Sequence, residues 1–253
     1  MLESTLKRDR MVVLASVVLV AGLAWAYLTS LAAGMDSMAA MGAALTGVQP
    51  WAAGDVVLMA VMWIVMMTGM MILTAAPMIL TFATINRRKR ETGSPYAPTG
   101  VFALGYVVVW SGFAVAAALI QWGLHSAALL TPMMVSASPF LGGAILIAAG
   151  TYQWTPLKHS CLKNCRSPLD FVLERWREGG RGALAMGLEH GAYCVGCCWV
   201  LMGLLFVGGV MNLLWVAAIA ILVAMEKMMP HGPWGARASG TTMALAGVVV
   251  LLQ

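Results

Sequence analysis

The chain has 253 residues, 61% hydrophobic and only 10% charged. Soluble domains hold about 45–50% apolar and ~25% charged residues, so this composition excludes a soluble fold and calls for an all-α polytopic membrane protein. The formal charge of +5 then marks a membrane face rather than a nucleic-acid partner.

In chain order, the first apolar span covers about 11–31, after the basic KRDR. Its run is longer than the ~7–15 residues of a cleavable signal core, so a retained span is expected. The second, 52–85, is long. As one helix from Trp51 to Ile85 it would measure ~52 Å against a hydrocarbon core of ~30 Å, and Pro77 is where a break or kink is expected. The basic turn NRRKRETGSPYAP leads to spans at 99–123 and 138–154, separated by HSAALLTPMMVSASP. An inner segment follows, in which SPLDFVLERWREGG predicts a short interfacial helix over 167–178. There Ser167 is the N-cap, Pro168 the first helical residue, Asp170 the capping-box acid, and Gly179 and Gly180 the end. Val172, Leu173 and Trp176 give that helix an apolar face. Spans at 182–208, 210–228 and 236–252 complete seven.

Charge placement orients them. With the N-terminus inside, all 15 Lys and Arg fall on the inner side and the outer loops carry only Asp36 and Asp55. The expectation is a single integral membrane domain over 1–253, N-inside and C-outside. No internal repeat is visible, and the outer loops contain no cysteine for a disulfide framework.

The stretch EHGAYCVGCCW carries the chemistry. His190, Cys194 and Cys197 share a helical stripe with Met186 and Leu201; Cys198 lies at its edge and Glu189 about 100° from His190. One such cysteine would read as a small buried hydrophobe. Three within five residues, one turn from an imidazole and beside a carboxylate, point to a soft metal site. A glutamate in lipid also needs a partner, a cavity or a cation. In the second span Met59, Met62, Met66 and Met70 form a stripe, of which Met66 and Met70 lie at mid-span and are the candidate thioether ligands for Cu(I); packing is the competing reading. Met35, Met38 and Met41 around Asp36, and Met133 and Met134 after His125, are further outer clusters. Inside, Cys161 and Cys165 lie near His159 at a spacing of four, which on a helix would place both thiols on one face, and Lys158, Lys163 and Arg166 are expected to favour thiolate. Glu226–Lys227 reads as snorkelling and charge pairing at the inner interface, and His231 as a surface turn.

Together WTPLKHSCLKNCR, EHGAYCVGCCWVLM and GVMNLLWVAAIAILVAMEK resemble DUF2182, a bacterial family of predicted metal-binding integral membrane proteins, from about Trp51 to Lys227. The resemblance implies a multi-pass protein of the bacterial inner membrane with a metal site and no established reaction.

The leading reading is therefore a non-enzymatic membrane protein that holds or passes a soft metal ion, Cu(I) before zinc, with a metal-donor or metal-acceptor protein as partner. Its ligand set is His190, Cys194, Cys197, Cys198, Glu189, Met66, Met70, Cys161 and Cys165. A thiol–disulfide relay between Cys194/Cys197/Cys198 and Cys161/Cys165 is the alternative, and a structural subunit of a membrane complex the third. The seventh span has no lysine for a retinal Schiff base, and the sequence holds no phosphate-binding loop or serine nucleophile.

Overall fold

Apolar runs with no water to bond their backbone must satisfy it internally, and the chain does so as helices. The computed structural model describes residues 2–42, 51–93, 95–131, 135–136, 138–229 and 232–252; for 2–7, 35–42 and 232–233 the backbone alone is described. The side chains of Met35, Asp36, Met38 and Met41, together with Met133, Met134 and His231, therefore lie outside the described residues.

The helices are α1 (Leu2–Gly42), α2 (Ala53–Glu91), α3 (Thr99–Ser126), α4 (Pro139–Tyr152), α5 (Pro156–Arg166), α6 (Pro168–Glu174), α7 (Gly179–Gly203), α8 (Leu205–Gly208), α9 (Leu213–Met228) and α10 (Gly232–Leu251). Among the described residues an isolated bridge between Leu130 and Ser136 is the only β pairing. Four stretches are long and apolar enough to cross a membrane: Arg8–Gly34, Ala53–Glu91, Thr99–Ser126 and Gly179–Gly208. The other three expected spans are helical but less complete. α4 has 14 residues and α9 has 16, short of the ~20 that a crossing needs, and α10 opens on the polar stretch GPWGARASGTT.

Pro77 does not break the second span. It sits inside one uninterrupted 39-residue helix, about 58 Å long by its rise. At the basic end of α2, Arg87 pairs with Asp9 of α1 at 2.6 Å. The inner segment also departs from expectation. It forms two helices, because Thr155 caps α5 by accepting from the Lys158 N–H at 3.3 Å and Pro156 starts it. Ser167 takes the N-cap position of α6 with no side-chain capping bond. α6 ends at Glu174, and Gly179, at φ +72°, opens α7 instead of closing the inner helix.

Close helix approach positions the site. A Cβ on Gly105 would stand 2.5 Å from the Leu184 carbonyl oxygen, and one on Gly187 would strike that of Phe102. α3 and α7 thus pack backbone to backbone, as small residues allow between membrane helices. α4 and α10 meet in the same way through Gly150 and Gly240. The interior between α2, α3 and α7 is filled by Trp63, Met67, Met71, Phe82, Phe102, Tyr106 and Trp110, all buried.

Candidate metal centre

α7 buries one stripe, and that stripe carries Met186, His190, Cys194, Cys197 and Cys198. Cys194 is the node. Tyr106 of α3 lies with its hydroxyl 3.0 Å from the Cys194 Sγ and 3.1 Å from the Met71 carbonyl oxygen. From α9, Lys227 Nζ donates to Cys194 Sγ at 2.8 Å and to the Thr74 hydroxyl at 3.2 Å. Cys197 and Cys198 turn their thiols back on the Cys194 carbonyl, at 3.1 and 2.9 Å, which satisfies them within the helix.

α5 brings the other two cysteines to this place. Cys165 is electrostatically linked to Cys194 and Cys197, which puts its thiol in their neighbourhood. Cys161 packs on α7 at Gly196, where an added Cβ would come within 2.8 Å of its sulfur. The inner pair and the α7 trio, taken from the sequence as two separate sets, therefore form one cluster of five free thiols. The expectation that neighbouring basic residues favour thiolate at Cys161 and Cys165 is overturned. Hydrogen bonds from Cys194 and Cys197 together with burial push Cys165 well up, and burial pushes Cys161 up. Lys158 is engaged elsewhere, on Glu226, and Arg166 on the Met229 carbonyl.

His190, one turn below Cys194, is buried among aromatic rings: Tyr106 stacks on it at 5.4 Å, Phe102 at 6.2 Å, and Phe171 meets it edge-on at 5.5 Å. Its Nδ1 is buried with no hydrogen-bond partner, a state that calls for an explanation in a protein interior. Glu189 stands apart from the thiols. It pairs with Arg175 and, at 3.6 Å, with Arg177, so its partner is basic protein. Met66 and Met70 are buried on α2, yet among the described residues no hydrogen bond ties either sulfur to a thiol. α2 reaches the cluster through the Met71 carbonyl and the Thr74 hydroxyl instead.

Glu226 and Lys227 do not pair with each other. Neighbours on a helix point about 100° apart, and these two enter different sites. Glu226 accepts from Lys158 at 2.6 Å and from Gln153 at 2.7 Å, all three buried, while Lys227 goes to Cys194. Both are interior groups and neither snorkels. Lys227, Tyr106 and Thr74 are the residues that sequence reasoning passed over. The available signal was a lysine inside an apolar segment, which by default marks function. Lys227 is also the last residue but one of α9, so the thiols lie level with the end of that helix and not with its middle.

Chemically, the cluster offers soft sulfur donors, an unpartnered imidazole nitrogen and one cationic hydrogen-bond donor, most of them buried. Among the described residues no three His, Cys, Asp or Glu side chains already stand in metal-holding geometry; ligation would require Cys197 and Cys198 to release the Cys194 carbonyl. Thiol sulfur is a soft donor and suits soft metal ions.

The family PpoB2, described as a copper chaperone, matches residues 60–250 of the chain. No curated protein and no solved structure matches it.

Proposed function

The chain belongs to the PpoB2 family of copper chaperones, and on that premise we propose that it holds Cu(I) on the thiol cluster of α5 and α7 and gives it up to an acceptor protein. The observation that carries this reading is the packing of α5 on α7 at the thiols, where the Cys161 sulfur lies against Gly196, beside a lysine whose Nζ touches the central sulfur, that of Cys194. Cys194, Cys197, Cys198 and Cys165 are the proposed ligands, with Cys161 and His190 at the edge. Glu189, in its arginine pairs, and Met66 and Met70, packed on α2, are not in the immediate ligand set.

The proposed setting is the bacterial inner membrane, with seven crossings, N-inside and C-outside. The partition of every Lys and Arg to one side supports it. We take the DUF2182 resemblance and the copper chaperone family to describe the same lineage. A cluster level with the end of α9 would be reached from the inner face through α5, which suits handover better than deep burial at mid-bilayer.

Purified full-length protein, kept reduced, should retain roughly stoichiometric Cu(I) against a moderate chelator. Changing Cys194, Cys197 and Cys198 together to Ser should remove it. Wild-type protein that stays copper-free in the presence of Cu(I) would sink the reading. The adjacency of Cys165 to Cys194 and Cys197 also supports a thiol–disulfide exchange role. Trapping of cellular thiols by alkylation decides between them, since a relay requires a disulfide or mixed disulfide and storage of Cu(I) requires none.

A further inference from the structure

The thiol cluster lies level with the C-terminal end of α9; a second soft-ligand cavity lies toward the start of that helix. Between α1, the first turns of α2 and the approach to α9 is a cavity of about 340 Å³, lined by Met59, Met62 and Met211 with Asp55, Tyr27 and Trp51. Among the described residues, three thioethers from two parts of the chain thus meet one open space with the Asp55 carboxylate at it. Met62 is buried, and Met59 and Met211 are half-buried. Methionines that merely filled a core would close on one another, since flexible thioethers adapt to gaps; these line a cavity. Asp55 already caps α2, accepting from the Ala52 N–H at 2.9 Å, which fixes its carboxylate at the pocket.

We propose that this cavity is a second Cu(I) site, at which the ion is first taken up before it reaches the thiols. The proposal rests on the copper reading above and adds to it a loading site. Thioethers bind Cu(I) without giving up a proton, so the bound ion keeps its positive charge, and Asp55 balances it. Thiolates bind Cu(I) more strongly than thioethers do, so the order Met pocket then Cys cluster runs downhill. The two sites are set apart by the same two helices. From Met59 to Thr74 along α2, and from Leu213 to Lys227 along α9, the rise is about 22 and 21 Å. Met66 and Met70, on the stripe of Met59 and Met62, are the thioethers lying between. With the N-terminus inside, the pocket opens at the outer end.

The test uses full-length protein with its methionine methyl groups labelled with ¹³C, titrated with Ag(I) as a redox-inert stand-in for Cu(I). The resonances assigned by Met59→Leu, Met62→Leu and Met211→Leu should shift together once the thiols are filled. The triple Leu variant, which keeps the apolar volume, should lose that second binding event and leave alkylation protection of the cysteines by the first intact. Resonances of all three methionines that stay fixed through saturation, or second-site uptake undiminished in the triple variant, would overturn the proposal. Failure of Ag(I) to protect the cysteines in wild-type protein would instead count against the thiol reading, so the two fall separately.

Discussion

Glu226 and Lys227 are consecutive in α9 and open onto two buried regions of opposite character. On one side Lys158 and Glu226 make a buried ion pair of 2.6 Å, joined by the Gln153 amide at 2.7 Å, which also donates to Ser239 at 3.3 Å. On the other, Lys227 donates to the Cys194 sulfur, while the Cys197 and Cys198 thiols turn back on a helix carbonyl, beside an imidazole nitrogen with no partner. In the first region both charges are matched and, among the described residues, only the Gln153 side-chain oxygen is left without a partner, and its role is to join α5 to α9. The second has donors in surplus, as a site awaiting a ligand would.

The largest expected effect lies on the side of the ion pair. Lys158→Met or Glu226→Gln alone should destabilise the protein by about 3–5 kcal/mol, because the remaining partner is left as an uncompensated buried group. The double variant Lys158→Met/Glu226→Met should recover most of that loss. Unfolding followed in a single detergent checks it; single variants as stable as wild type would erase the contrast between the regions. Lys227→Met should behave differently. It loses hydrogen bonds from a cationic donor, about 1.5–3 kcal/mol, and its chief effect should be on Cu(I) retention, measured by chelator competition. A variant that loses fold and keeps copper would make both regions merely structural. Tyr106→Phe removes a hydroxyl placed between Cys194 and Met71 and should cost about 0.5–1.5 kcal/mol, seen as a small drop in melting temperature.

Smaller still, Glu189→Gln breaks pairs with two partly exposed arginines and should change stability by less than about 1 kcal/mol, with copper retention unaltered. Alkylation sharpens the picture of α5. Cys161 and Cys165 are held above the usual thiol range, so neutral thiol persists to higher pH than in a free cysteine. The stability they contribute is full below the unfolded value of about 8.5 and is lost as pH rises through the folded one. Maleimide labelling of both at neutral pH should therefore be slow in folded protein and fast after unfolding.

The long helices were legible because uninterrupted apolar runs leave the backbone no alternative; α2 and α7 could be drawn from composition. α5 was not, since KHSCLKNCR is polar and basic and its helix depends on the Thr155 cap and on packing against α7. The stripe of His190, Cys194 and Cys197 followed from helical period alone. That Cys165 joins it did not, because the contact spans 29 residues of chain and no local pattern encodes it. Glu226 and Lys227 were misread for a similar reason: sequence shows that they are adjacent, and only the neighbours of α9 show that they diverge.

That divergence limits how α9 can vary in length. Adding or deleting one residue between Leu213 and Glu226 would rotate both side chains by about 100°, withdrawing the carboxylate from Lys158 and the amine from Cys194 in one step. A change of a whole turn would preserve direction but shift both by about 5.4 Å along the axis. Homologous sequences and engineered variants should accordingly accommodate insertions before Asn212 or after Met229, and not within the helix between them.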